Sequence, residues 1–101
     1  MAYRVLRRSG SRPTLMVSRV DDLGPALRDL RLSQGVSVFD AADAMESTHG
    51  TSITAYETGR IKPGSRKLIE YLATHDYVVV LMHKREAAKL IEDGIRPREL
   101  D

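Results

Sequence analysis

The chain contains three histidines, His49, His75 and His83, and they fall in different predicted elements. No H-x-x-x-H or H-E-x-x-H spacing sets two of them on one helix face, as a metal site would need. Asp40, Asp43 and Glu46 line one side of a predicted helix. A carboxylate row without a nucleophile beside it reads as a solvated face. There is no G-x-S-x-G elbow and no glycine-rich phosphate loop. The absence of cysteine removes thiolate nucleophiles, thiolate metal sites and disulfides, and suits a cytosolic protein. These residues therefore read as a non-enzyme with no cofactor and no metal.

The basic residues say more. The net charge of +2 on 101 residues is small, but it is unevenly spread. Residues 1–20 carry Arg4, Arg7, Arg8, Arg12 and Arg19 and no acid, whereas residues 21–101 carry eleven bases against fourteen acids. A basic arm of +5 on a body of −3 is the asymmetry expected of a polyanion binder. On charge alone, a solvated basic tail fits equally well.

What must position these charges is one domain of ordinary soluble composition, 42% hydrophobic and 30% charged. The aromatic content of 5%, without Trp, argues against a large aromatic ligand pocket. The longest apolar run, Tyr77 to Met82, is far too short to span a membrane. Arginines near the start interrupt any signal sequence. Residues 1–20 lack helical periodicity and read either as a flexible arm or as a hairpin of Tyr3–Arg8 with Thr14–Ser18, turned at Ser9–Pro13.

Residues 21–76 read as four helices. Asp21 or Asp22 caps the first, Pro25 is tolerated in its first turn, and Leu23, Leu27 and Leu30 form its buried stripe. Gly35 ends it. Ser37 caps a second helix over Val38–Glu46 that is rich in small alanines, and Ser47–Gly50 breaks it. The third runs from Thr51 to Thr58, with Ile53 and Tyr56 inward, and closes at Gly59. The fourth runs from Ser65 to Thr74 with Leu68, Ile69 and Leu72 apolar. Tyr77–Met82 then switches to a β-branched run and reads as a buried strand, paired either within the chain or with its copy in a dimer. A short helix over Lys84–Asp93 follows, ended by Gly94 and Pro97.

Leu23-Gly24-Pro25-Ala26-Leu27-Arg28-Asp29-Leu30-Arg31-Leu32-Ser33-Gln34-Gly35 and Ile53-Thr54-Ala55-Tyr56-Glu57-Thr58-Gly59-Arg60-Ile61-Lys62-Pro63 stand at a specific separation. Together they resemble the Cro-type (XRE, lambda-repressor-like) helix-turn-helix family, whose first helix reads L-G-x-x-L-R-x-L-R-x-x-x-G. Its third closes as I-S-x-[IYW]-E-x-G-x-x-x-P. The resemblance covers about residues 22 to 76. It implies a mostly α, lambda-repressor-like four-helix domain, here with short N- and C-terminal β-strands and a fifth helix.

The resemblance also implies roles. Arg31 and Glu57 would form the ion pair joining helices one and three. Helix three would lie in the major groove and present Gly50, Thr51, Ser52, Thr54 and Ala55. Arg60 and Lys62 would meet phosphates, and Ser37 would cap helix two where it approaches the DNA backbone. Val38 stands where the family often has Gln, and Ala41 where it usually has Leu. The connection between helices two and three is one residue longer. The exposed face of helix three lacks Arg, Gln and Asn, the side chains that make bidentate contacts to G or A. Sequence reading would then lean on DNA shape or on the arm, with Arg4, Arg7, Arg8 and Arg12 against phosphates or in a minor groove.

The expectation is a cytoplasmic, nucleoid-associated transcriptional regulator of bacterial or phage type, most simply a repressor, bound to double-stranded DNA and to no membrane. Tyr77, Val78, Val79, Val80, Leu81 and Met82 would join two copies on an inverted repeat. The alternative is an antitoxin or other protein-binding module, with residues 77–101 as the surface for a protein partner.

Overall fold

Leucine spacing and glycine placement along residues 21–76 are realised as four packed helices. In the computed structural model, residues 4–9, 12–45 and 48–93 are described. Two strands, β1 (Arg4–Ser9) and β2 (Arg12–Met16), precede five helices. These are α1 (Leu23–Ser33), α2 (Val38–Ala44), α3 (Gly50–Thr58), α4 (Ser65–Thr74) and α5 (Lys84–Asp93), so the described chain is mostly helical. Glu46, Ser47, Gly94 and Pro97 lie outside the described residues, as do the side chains of Arg4, Arg7, Arg8 and Ile91.

The leucine stripe of α1 is buried where expected, with Leu27 and Leu30 each 2% exposed. The expected aspartate cap is not formed. Val20–Asp22 makes a turn of 3-10 helix, which places Asp22 in helical backbone, and neither carboxylate accepts a capping hydrogen bond. Ser37 does cap α2, its hydroxyl accepting from the Asp40 amide at 3.1 Å. Gly35 and Gly59 end α1 and α3 at φ +69° and +79°, a region costly for any residue with a Cβ.

Ala41 and Ala42 of α2, Met45 just beyond its end and Ile53 of α3 close the core over α1. In α4 the expected inward face is rotated. Tyr71 occupies the centre at 1% exposure and Ile69 lies outside at 57%, while Leu68 and Leu72 pack against the core edge. Tyr71 wins the central place because its hydroxyl finds buried acceptors there, which Ile69 could not use.

The N-terminal segment takes the hairpin alternative. β1 and β2 pair antiparallel, Arg4 opposite Met16 and Val5 opposite Leu15, with a register shift between Val5 and Arg7. β2 lies against α1: Pro13 is fully buried and Leu15 packs on the core. The expected strand at Tyr77–Met82 is not formed within the chain, because residues 77–83 pair with no other described segment. Among the described residues, contacts anchor its first residue. The Tyr77 hydroxyl donates to the Pro13 carbonyl, whereas Val78 is 80% and Leu81 94% exposed.

Candidate nucleic-acid interface

The position of α3 is set by a buried polar network. Arg31 on α1 donates from Nε to Glu57 Oε2 at 2.7 Å and from its terminal nitrogen to Oε1 at 2.9 Å. Its other terminal nitrogen donates to the Val36 carbonyl at 2.7 Å, bracing the turn before α2. Tyr71 of α4 has both Glu57 Oε2 and the Leu27 carbonyl 3.0 Å from its hydroxyl. Arg31 and Glu57 are 7% and 5% exposed, so this bidentate pair sits almost entirely out of water. The hydrogen bond to Glu57 raises the Arg31 pKa, which keeps the guanidinium charged. Burial, followed by the neighbouring carboxylate, pushes the Tyr71 phenol well above its ordinary value, so it stays a neutral donor.

Gly24 completes the clamp. A Cβ built there would stand 2.7 Å from the carbonyl oxygens of both Tyr56 and Glu57. Only glycine lets the start of α1 approach the end of α3 this closely. The residues expected to hold α3, Arg31 and Glu57, are thus brought together.

The residues expected to face DNA divide. Thr51 and Thr54 are exposed on α3, Gly50 and Ser52 are half-buried beside them, and Ser37 is exposed at the start of α2. Ala55 does not belong to this face. It is 1% exposed on α3, which packs against α1 and α2, and its carbonyl accepts from the Ile61 amide at 3.2 Å where the chain turns after Gly59. Arg60 and Lys62 are exposed beyond α3, and Lys62 stands 3.7 Å from Asp21 in a loose surface pair. Arg12 lines a cleft of about 470 Å³ with Gln34, His75 and Asp76, none of them on α3. Asp40 and Asp43 are exposed on α2. Arg4, Arg7 and Arg8 lie on β1, but their side chains are outside the described residues. The residues Tyr77–Met82, expected at a dimer interface, run outward from the hairpin.

Three contributors escape a reading of spacing alone. Gln34 and His75 clamp the ends of α1 and α4: the Gln34 amide donates to the His75 carbonyl at 3.1 Å, and His75 Nδ1 meets Gln34 Oε1 at 3.1 Å. The His75 ring stands edge-on to Tyr71 with centroids 4.9 Å apart, and its Nε2 is buried without a hydrogen-bond partner among the described residues. Burial, then the nearby Arg31 charge, lowers the His75 pKa, so the ring is held neutral. The third is Phe39. It is 69% exposed on α2, and its ring lies so near Gly50 that a Cβ there would meet it at 2.8 Å.

Comparison with protein-family models, with curated proteins and with solved structures gave no match. Among the described residues no helix is long and apolar enough to cross a membrane, and no cluster of His, Cys, Asp or Glu could hold a metal ion.

Proposed function

We propose that the chain is a DNA-binding transcriptional regulator, with α2 and α3 as a helix-turn-helix of the lambda-repressor-like kind and α3 as the helix that enters the major groove. The observation that carries this reading is the contrast between the two sides of α3. One side is fixed to α1 and α4 by Arg31, Glu57 and Tyr71, while the other presents Thr51 and Thr54 to solvent. A helix held rigidly by buried charge and left bare on the opposite face suits insertion into a groove. Asp40 and Asp43 leave the exposed face of α2 without positive charge, so phosphate contacts fall to Arg60, Lys62 and the arginine-bearing hairpin. The regulator acts in the cytoplasm as a homodimer, reading half-sites ~34 Å apart. Residues 78–82, unpaired in the single chain, supply the strand that joins two copies.

Selection of bound fragments from random DNA tests this. An enriched inverted repeat is the expected result, and an unselective pool at low salt refutes the reading. A second reading, an antitoxin-like module, is favoured by one observation: Val78, Val80 and Leu81 are exposed beside the amphipathic helix α5. A stable heteromeric complex lost on deleting residues 78–101, with no enriched DNA sequence, would establish that reading instead.

A further inference from the structure

Phe39 is not part of the buried core. It is a large aromatic ring, 69% exposed, in the first turn of α2, and it leans on the first residue of α3 rather than on the core. Gly50 is what makes room for it, since a Cβ would come within 2.8 Å of one ring carbon and 3.0 Å of the next. The start of α3, the part of a recognition helix that reaches base edges, is therefore flanked by an exposed aromatic ring.

The chemistry around the ring is methyl-rich and poor in donors. α3 runs Gly-Thr-Ser-Ile-Thr-Ala-Tyr-Glu-Thr and includes no Arg, Lys, Gln or Asn. The Thr54 hydroxyl donates to the Gly50 carbonyl at 3.2 Å, so its proton is spent within the helix and its methyl is free to make contacts. A surface of this kind cannot read guanine or adenine by bidentate hydrogen bonds. The one apolar group that base pairs display in the major groove is the thymine 5-methyl, and Phe and Thr methyls are side chains that pack on it.

Resting on the DNA-binding reading above, we infer that Phe39, seated against Gly50 at the start of α3, is a specificity-determining residue that packs on a thymine 5-methyl group in the major groove.

The test uses the full chain and the fragment enriched from random DNA, with each thymine replaced in turn by 2′-deoxyuridine, which removes the methyl and nothing else. Affinities are measured at one fixed salt concentration. At one position per half-site, wild-type binding should weaken about 4-fold, the equivalent of one buried CH2 group at ~0.8 kcal/mol. Phe39→Ala should bind thymine and deoxyuridine equally at that position, while keeping any discrimination at positions read by Thr51 or Thr54. Because the ring is exposed, this variant should melt as the wild type does. Gly50→Ala, which displaces the ring without removing it, should lose the same discrimination. A wild type indifferent to every thymine methyl, or a Phe39→Ala protein that keeps the 4-fold ratio, overturns the inference while leaving DNA binding intact. A change in oligomeric mass with an unchanged ratio assigns the ring to a protein contact and also overturns it. Failure of the wild type to retain any DNA removes both this inference and the reading beneath it.

Discussion

Replacing Glu57 by Ala should cost far more than the exposed charges around it would suggest. The substitution strips the Arg31 guanidinium, 7% exposed in the intact protein, of two short hydrogen bonds, 2.7 and 2.9 Å, and of the carboxylate that balances its charge, leaving the Val36 carbonyl at 2.7 Å. Breaking a buried ion pair from one side costs ~3–5 kcal/mol, because the remaining charge is stranded out of water. Domains of this size have total stabilities of roughly 5–15 kcal/mol, so the loss takes a large share. At ~4–8 °C per kcal/mol, the melting temperature should fall by ~12 °C or more. Arg31→Met with Glu57→Leu removes both charges. Tyr71 keeps the Leu27 carbonyl as an acceptor at 3.0 Å, and the main residual cost is the orphaned Val36 carbonyl, ~1–3 kcal/mol. The double variant should therefore be more stable than Glu57→Ala. With both singles measured, the coupling should be ~2 kcal/mol or more. Urea unfolding followed by far-ultraviolet circular dichroism measures all five proteins: the wild type, Glu57→Ala, the singles Arg31→Met and Glu57→Leu, and the double variant. If Glu57→Ala costs under ~1 kcal/mol, or the two singles add within ~0.5 kcal/mol, the network does not hold α3 as argued.

Gly24→Ala should destabilise by ~1–3 kcal/mol despite alanine's better helix propensity, because its methyl meets backbone carbonyls of α3 that cannot swing aside; a neutral or stabilising result in the same unfolding assay refutes the close approach. His75 has a lowered folded-state pKa, so below about pH 6.5 the unfolded chain takes a proton that the folded one refuses. Stability should be complete above that pH and fall as the solution is acidified through the window beneath it; comparing unfolding curves near pH 7.5 and pH 5.5 with those of His75→Gln should show this part of the slope vanish. Arg60→Ala with Lys62→Ala should weaken binding to all DNA sequences alike and flatten the dependence of log affinity on log salt by ~2; an unchanged slope removes them from the phosphate contacts. Deleting residues 78–101 should convert a dimer to a monomer in sedimentation while leaving the melt of the four-helix body nearly unchanged, and an unaltered mass would count against the tail as the joining element.

The helices were legible because their signals are local. Leu27 and Leu30 recur at one face's spacing, Ser37 offers its hydroxyl three residues ahead of the amide it caps, and Gly59 stands where a left-handed residue is needed. The Arg31–Glu57 pair spans 26 residues and has no local signal; only the resemblance drawn in the sequence suggested it. The misassignments arose where a tertiary contact outweighed a local pattern. Ala55 was placed outward by the resemblance, but it lies 1% exposed on α3, which packs against α1 and α2. Tyr71 displaced Ile69 from the core because a buried carboxylate and carbonyl were waiting for its hydroxyl. Tyr77–Met82 has the composition of a buried strand, yet composition alone cannot supply the neighbouring strand it needs.

Phe39 shows the converse. Its hydrophobicity would place it in the core, and Asp40 and Asp43 beside it mark the helix as polar; neither pattern says that the ring ends against Gly50. That contact depends on how α2 and α3 cross, and their crossing depends in turn on Ala41 and Ala42, whose small side chains lie 1% and 3% exposed beneath the pair. A leucine at Ala41 would overfill that layer, pushing α2 away from the body and carrying Phe39 off Gly50. The same small residue therefore sets where the ring lies. Ala41→Leu should then alter the thymine preference of the protein as well as its stability, although position 41 is buried and touches no DNA. A variant that loses stability but keeps the wild-type ratio of thymine to deoxyuridine affinity would sever this link between the core and the proposed recognition surface.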